Sequence, residues 1–235
     1  MNLRRRGCFY AKKIFQWLGR EFVALSCEGK AGPTAKEQTQ DIFRRFEEEL
    51  RSLGLSLDNT VRTRLWAKDR QSRNLGSGER VVVLAGKARS TSSSYIAPGH
   101  FDSDARGALD LLAMKPSRPG LEKILKEYDP PMIPLRYLIY DSAVFLSGVT
   151  AVLPTLENQL TDILPRIGGS LKDAGSSWDK VVKVSFFLHR SQTLSLLKDL
   201  FRQRVAVDIP QMEYGFVDGY SAEGKLVEIE VTAAI

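Results

Sequence analysis

The sequence predicts an α+β protein made of two copies of one unit, each with helices packed on one face of a mixed β-sheet. Residues 37–72 align without a gap with residues 158–193, and the same offset of 121 residues places "FVALS" (22–26) on "AVFLS" (143–147). A repeat of this length has the size of a small domain, whereas solenoid repeats span about 20–50 residues. Within each copy, segments with a two-residue apolar period alternate with segments of helical period. These observations predict the α+β class.

The repeat also sets the predicted domain boundaries. Unit one is expected to span residues 1–115 and unit two residues 132–235, which suits a chain of 235 residues. Residues 116–131, "PSRPGLEKILKEYDPP", form the predicted linker, with prolines at both ends and a short helix between them.

Each unit is expected to begin with a β-ribbon. In unit one "CFYAKKIF" turns at Gly19-Arg20 into "EFVALSCE", and in unit two "IPLRYLIY" turns at Asp141-Ser142 into "AVFLSGV". Both turns contain residues that tight turns favour.

An amphipathic helix follows the ribbon. In unit one Ile42, Phe46 and Leu50 recur every four positions and form one apolar stripe. Gly54, and Gly175 in unit two, stand where a glycine would end that helix.

A strand, a second helix and a final pair of strands complete each unit. Val182, Val184 and Phe186 alternate with polar residues in "KVVKVSFFLH", and "TVRTRLWAK" is the corresponding strand of unit one. The spacing of Leu194 and Leu197 predicts the second helix of unit two. The corresponding "QSRNLGSGERVVVLAG" of unit one is rich in glycine, so we expect a turn there. Both units end in a strand, "ALDLLAMK" and "KLVEIEVTAAI".

The net charge of +6 is largely local, because Arg4, Arg5, Arg6, Lys12 and Lys13 account for five of the positive charges and leave 6 − 5 = +1. A basic balance attracts anions without choosing among them. A nucleic-acid partner is not expected, since terminal arginines are usually solvated. No apolar run approaches the roughly 20 residues of a membrane span. We therefore expect a cytoplasmic protein that has no membrane partner.

Cysteine and histidine are scarce. Cys8 and Cys27 are too few for a disulfide framework, and with His100 and His189 they cannot build a metal cluster. Cys27 is expected to be a buried thiol. The loop "GHFDSDARG" (99–107) is interpreted as a specificity loop rather than as part of a hydrolase triad.

Several motifs resemble the Rid (YjgF/YER057c/UK114) family of imine and enamine deaminases. These are "VFLSG" (144–148), "AGSSWDKVVKVSFFL" and the closing "KLVEIEVTAAI" in unit two, together with "ARST" (88–91) in unit one, which is similar to the family's "PARST". The resemblance covers residues 7–115 and 132–235, so the chain resembles a tandem two-domain member.

This resemblance implies a chorismate-mutase-like fold and a trimer of domains with clefts between neighbours. In the family an arginine binds the carboxylate of a 2-imino or 2-enamino acid, which suits a guanidinium because it donates two parallel hydrogen bonds. A glutamate is the candidate for activating the attacking water. No metal or organic cofactor is implied.

The motifs assign catalytic roles to three residues. Arg89 matches the signature arginine, and Met212 falls at its place in unit two. Glu228 matches the first glutamate of the family's final strand, and Asp110 is placed there in unit one. Unit one would then keep the arginine with a shorter acid, and unit two would keep the acid alone.

The substrate-binding residues implied by the resemblance are Arg89, Ser26, Ser147 and Tyr10. Ser26 and Ser147 match the serine that lines the family cleft, and Tyr10 loosely matches the cleft tyrosine. "PPMIPL" departs from the tyrosine motif in unit two.

Alternative interpretations stay open at this point. Arg89 is equally consistent with a solvated loop arginine, and Glu228 with an outward position of an alternating strand. The chain would then be a non-catalytic carboxylate-binding or scaffold protein, or a pathway-specific enzyme related to chorismatases. Three chains supply six domains and close two threefold rings, so we expect a homotrimer that binds a small carboxylate.

Overall fold

The computed structural model describes residues 10–30 and 32–235. Cys8 and the three arginines at 4–6 lie outside the described residues. The chain divides into two compact units, Met1–Lys123 and Ile124–Ile235. The predicted α+β class with two mixed sheets is confirmed.

Unit one contains one five-stranded sheet and two helices. The strands are β1 (Tyr10–Trp17), β2 (Arg20–Glu28), β3 (Thr60–Ala67), β4 (Thr91–Ile96) and β5 (Gly107–Met114), and the helices are α1 (Ala35–Ser52) and α2 (Arg70–Val83). The sheet order is β1-β2-β5-β3-β4, with β3 and β4 parallel and the other neighbours antiparallel. Both helices pack on one face of this sheet, and the core lies between the helices and the sheet.

Unit two repeats this topology and adds one strand. Its strands are β6 (Ile124–Lys126), β7 (Tyr137–Tyr140), β8 (Ala143–Leu146), β9 (Val181–His189), β10 (Gln211–Val217) and β11 (Val227–Ala234), and its helices are α3 (Leu156–Asp173) and α4 (Leu194–Arg204). The sheet order is β6-β7-β8-β11-β9-β10, with β9 and β10 parallel. Every element of unit one therefore has a counterpart, and β6 lies outside them at the sheet edge.

Both predicted ribbons are two-residue hairpins. Leu18 (φ 52°) and Gly19 (φ 67°) form the first turn, and Asp141 (φ 44°) and Ser142 (φ 66°) form the second. Two successive positive φ angles define the type I′ turn, whose twist matches that of the flanking strands. The first turn lies one residue earlier than predicted.

The first helix begins and ends as the sequence indicates. Thr34 caps α1, because its Oγ1 accepts a hydrogen bond from the amide of Glu37 (3.3 Å) while its own amide donates to Glu37 Oε2 (3.1 Å). Beyond its last turn Gly54 has φ +71°. The predicted stripe is buried in the core, and fully burying such side chains contributes about 1.5–3 kcal/mol each.

The prediction of a turn in place of the second helix of unit one is wrong. Asp69 caps α2 by accepting a hydrogen bond from the amide of Ser72 (2.7 Å). Gly76 lies so close to β3 that a β-carbon there would approach Leu65 Cδ1 to 3.1 Å. This glycine therefore allows the helix to pack tightly. Buried Arg80 adds a hydrogen bond to the carbonyl of Ser93 (2.6 Å).

The predicted short helix in the linker is also wrong. Residues 124–126 form strand β6, which pairs antiparallel with β7. An open sheet edge presents backbone N–H and C=O groups that lack partners. Pairing of β6 with β7 satisfies such groups, which a short isolated helix in the linker would not do. None of the described helices is both long and apolar enough to cross a membrane.

Candidate functional site

The candidate site lies on the face of the unit-one sheet opposite its helices. Leu25 and Leu109 point into the core beneath the helices, so the residues that alternate with them face the other side. Ser26 of β2 and Arg64 of β3 are both paired in register with Asp110 of β5. Three adjacent strands thus bring a hydroxyl, a carboxylate and a guanidinium side by side, and all three residues are half-buried.

Asp110 is held by two side chains. Ser26 Oγ donates to Oδ1 at 2.6 Å, and Trp66 Nε1 donates to Oδ2 at 2.7 Å. Hydrogen bonds to a charged group contribute roughly 1.5–3 kcal/mol each. The structure therefore unites two of the predicted residues and adds Trp66, which sequence reasoning missed. The signal was present, because Trp66 follows Arg64 by two residues and so lies on the same face of β3.

The loop that follows β4 packs onto this cluster. The His100 ring stacks on Trp66 with centroids 4.3 Å apart and an interplanar angle of 8°. Lys68 Nζ donates to the carbonyl of Ser103 (2.7 Å), and Ser103 Oγ donates to Glu28 Oε2 (2.5 Å). The predicted specificity loop is thus anchored beside the indole that orients Asp110.

Arg89 lies at the other end of β4. It is half-buried and directly follows a short 3-10 turn, Gly86–Ala88, two residues before β4 begins. Ser93, four residues further on, pairs with Arg64. Four residues along a strand and two strand spacings across it separate the Cα atoms of Arg89 and Asp110 by about 16 Å. Arg64, and not Arg89, is the arginine that the register places beside Asp110.

The register corrects the equivalence assumed for Asp110. The repeat offset makes Ser185 of β9 the counterpart of Arg64. Arg64 is paired with Asp110, and Ser185 is paired with Glu230. Asp110 therefore corresponds to Glu230, not to Glu228.

Glu228 has a different counterpart in unit one. It is paired with Phe187, which corresponds to Trp66 through the same offset. Trp66 is paired with Ala108, so unit one has an alanine at the Glu228 position. The sequence alignment was shifted by two residues, a shift that leaves the apolar alternation of a strand unchanged.

The arginine position of unit two is corrected in the same way. Thr91 of β4 and Gln211 of β10 are paired with equivalent residues of the neighbouring strands. Counting back two residues places Ile209 opposite Arg89 in the repeat. Ile209 packs against the apolar core of unit two.

Met212 therefore does not occupy the signature position. It is paired with Val184, a core residue, so it belongs to the helix side of the sheet. Tyr214 lies on the same side, where its ring stacks on Phe186 and its hydroxyl donates to Met212 Sδ at 3.1 Å.

The predicted residues of unit two are buried. Ser147 is 1% exposed and Glu228 is 5% exposed. A β-carbon on Gly148 would collide with the Glu228 carboxylate, so any larger residue there would force the Glu228 side chain to move. Burial, together with the nearby charge of Glu228, raises the pKa of Tyr220 well above its usual value.

Tyr10 lies on the opposite face of the sheet from Ser26 and Asp110. It is paired with Cys27, whose thiol is buried in the core as predicted. Its hydroxyl interacts with Glu49 of α1, and partial burial together with that carboxylate raises the pKa of Tyr10 to about 12. The assignment of Tyr10 to the same cleft as Ser26 is therefore not supported within unit one.

Among the described residues, no group of three or more histidine, cysteine, aspartate or glutamate side chains is arranged to hold a metal ion. The polar groups gathered on this face of unit one are instead suited to binding a small anion and to moving protons.

The two-unit fold is similar to that of a known enzyme class. A chorismatase crystal structure matches with a TM-score of 0.62 over 94% of this chain and 79% of that chain, at 14% identity. At this identity the similarity concerns the fold.

Single-unit proteins match half of the chain. A member of the YjgF/YER057c/UK114 family from Mycobacterium tuberculosis is 21% identical over 48% of this chain and 100% of that chain, with a TM-score of 0.42. A Rid-family protein from Yersinia pestis is 24% identical over 48% of this chain and 99% of that chain, with a TM-score of 0.44. No protein-family model and no curated protein matches the sequence.

Proposed function

We propose that this chain is an enzyme that hydrolyses a small 2-imino or 2-enamino acid, and that unit one is its active unit. The observation that carries the proposal is the half-buried Asp110, whose two carboxylate oxygens are oriented by Ser26 and Trp66. Each of these oxygens keeps a second lone pair, which can accept a proton from a water molecule. In unit two, Ser147 at the Ser26 position and Glu230 at the Asp110 position are each 1% exposed.

In the proposed reaction Arg89 binds the substrate carboxylate through two parallel hydrogen bonds. Water adds to the imine carbon as Asp110 takes its proton, and Asp110 then passes this proton to the imine nitrogen. The resulting carbinolamine releases ammonia and leaves a 2-oxo acid. No metal or organic cofactor takes part in these steps.

The separation of Arg89 and Asp110 bears on how the site is completed. Their Cα atoms lie about 16 Å apart within unit one, so the two side chains do not contact each other directly there. We therefore include the homotrimer in the proposal, with Arg89 of one copy and Asp110 of a neighbouring copy on the two walls of a cleft. Closed symmetry of this kind is the usual form of homo-oligomers.

The test couples the protein to an amino-acid oxidase that generates 2-imino acids, and it follows ammonia and semicarbazone formation. Faster loss of the imine with the protein than without it supports the proposal. Pyruvate binding without any acceleration would identify a non-catalytic carboxylate-binding protein. A monodisperse monomer in light scattering would contradict the intersubunit cleft.

A second candidate is an enzyme that acts on chorismate. The similarity of fold to a chorismatase over 94% of this chain favours it. Incubation with chorismate, followed by chromatography of the products, separates the two candidates, because an imine hydrolase leaves chorismate unchanged.

A further inference from the structure

Lys123, the last residue of unit one, lies beside Arg89. Its Nζ donates hydrogen bonds to the carbonyl oxygen of Arg89 (2.7 Å) and to that of Thr60 at the start of β3 (2.9 Å). An ion pair between Glu122 and Lys87 (2.5 Å) holds the same segment against the turn that precedes Arg89. These contacts hold the last residues of unit one next to the "ARST" motif that contains Arg89.

The environment of Lys123 makes its ammonium form less favourable than that of an ordinary lysine. Burial lowers the pKa of Lys123 to about 8, although the charge of Asp58 acts in the opposite direction. A neutral amine has two N–H groups and one lone pair. The carbonyls of Thr60 and Arg89 accept the two hydrogens, so the lone pair points away from both. An amine in this state is a nucleophile near neutral pH.

Two buried hydroxyl groups belong to residues at or next to these carbonyl contacts. Thr60 Oγ1 belongs to the residue whose carbonyl Lys123 contacts, and Ser90 Oγ belongs to the residue after Arg89. Within the described part of the chain, neither oxygen has a hydrogen-bond partner. Buried polar atoms normally have one. Each therefore has an unused capacity for one further hydrogen bond in the neighbourhood of these contacts.

We propose that Lys123 is a nucleophile that forms an imine with a 2-oxo or 2-imino acid whose carboxylate is bound by Arg89. This inference rests on the carboxylate-binding role of Arg89 in the proposed function. The Nζ lone pair attacks the carbonyl carbon, one proton moves from nitrogen to oxygen to give a carbinolamine, and the second nitrogen proton follows as the C–O bond breaks and water leaves. With a 2-imino acid the leaving group is ammonia, and hydrolysis of the new imine then releases the 2-oxo acid and free Lys123.

The test is reductive trapping. Wild-type protein is incubated with pyruvate and cyanoborohydride, and the modified lysine is located by peptide mass spectrometry. We expect one adduct at Lys123 that is lost in Lys123→Arg. At pH 8 a lysine with a pKa of about 8 has on the order of 100 times the neutral fraction of an ordinary lysine. The exposed Lys115 should therefore remain unmodified, and Lys115→Met should label like wild type.

The outcomes separate the two proposals. An adduct at Lys123 that falls at least tenfold in Arg89→Ala, or when acetone replaces pyruvate, supports both. An adduct at Lys123 that is indifferent to Arg89 contradicts the carboxylate-binding role of Arg89. Labelling spread over surface lysines, or no labelling, overturns the inference about Lys123, and imine hydrolysis in the oxidase assay would still support the proposed function. Mapping on the wild-type chain keeps the test valid even if a variant fails to fold.

Discussion

The two units share a topology, but they carry different residues on the sheet face opposite their helices. Unit one carries the half-buried Asp110 with Arg64 beside it, whereas unit two carries the buried Glu230 with Ser185 beside it. The helix-side faces are apolar in both units. The comparison teaches that the packing of the helices preserves the fold, which leaves the residues of the other face free to diverge.

The second helices show the same division. Helix α2 has 14 residues and packs through Gly76, whereas α4 has 11 residues and packs through Leu197 and Phe201. The same position in the fold is thus filled by close backbone approach in one unit and by large side chains in the other.

Arg89 should show the largest effect. Arg89→Ala removes a charge-assisted bidentate pair, so pyruvate affinity or imine hydrolysis should fall about 30- to 1,000-fold, or about 2–4 kcal/mol. Arg89→Lys should recover little, because an ammonium group cannot form the parallel pair. Arg44→Ala, on the exposed side of α1, is the control. Equal affinity for wild type and both Arg89 variants in calorimetry would refute the assignment.

The hydrogen bond from Trp66 to Asp110 should show the next largest effect. Trp66→Phe gives unit one the residue that unit two has at Phe187, and it leaves Asp110 Oδ2 without its indole donor. We expect a loss of about 1.5–3 kcal/mol in the free energy of unfolding, and a loss of activity as well. Denaturation by urea measures the first, and the oxidase assay the second. Trp17→Phe alters a half-buried tryptophan that packs on Phe22, and it should cost less than Trp66→Phe. An identical response of both variants would argue against the indole hydrogen bond to Asp110.

The pH dependence of stability tests Lys123. The unfolded chain binds more protons than the folded chain between pH 8 and the ordinary lysine pKa, so stability should rise with pH there. For the pKa of about 8, the gain is roughly 1.5 kcal/mol from pH 8 to 9.5.

The raised pKa of Tyr10, about 12, acts only at higher pH, where the unfolded chain loses the proton first and stability falls. Urea melts at pH 8.0 and 9.5 should therefore show the gain in wild type and in Lys115→Met. Its persistence in Lys123→Met would assign the gain to another group.

Restoring the arginine to unit two would sharpen the comparison of sites. The register predicts that Ile209→Arg, and not Met212→Arg, places a guanidinium at the Arg89 position. We expect a second pyruvate site of millimolar affinity, about 4 kcal/mol, only in Ile209→Arg. The stoichiometry in calorimetry decides this. A new site in Met212→Arg alone would overturn the register argument.

The smallest effect concerns the glycines of α2. A β-carbon at Gly78 meets nothing within 4 Å, whereas one at Gly76 approaches Leu65 and Thr39 at 3.1 Å. Gly78→Ala should therefore stabilise the protein by about 0.5–1 kcal/mol through helix propensity. Gly76→Ala should gain less or destabilise, since its neighbours must shift. Thermal melts of the two variants, compared with wild type, measure the difference, and equal gains would contradict the close packing of α2.

The sequence by itself determined the α+β class, the duplicated unit, the two hairpins and helix α1. Each of these depends on local signals. Turn residues set the hairpins, the spacing of Ile42, Phe46 and Leu50 sets the buried face of α1, and Gly54 marks its end. Such preferences act within a few residues, so they can be detected without the rest of the fold.

Only the tertiary structure decided which residues share a site. A two-residue shift keeps every apolar residue of a strand on the same face. The alternation of apolar and polar residues therefore could not distinguish Glu228 from Glu230 as the counterpart of Asp110. Tyr10 and Ser26 were assigned to one cleft, but the pairing of β1 with β2 puts them on opposite faces. Helix α2 and strand β6 likewise depend on the strands they contact. These features arise from pairing between distant segments, and for that reason the local pattern could not predict them.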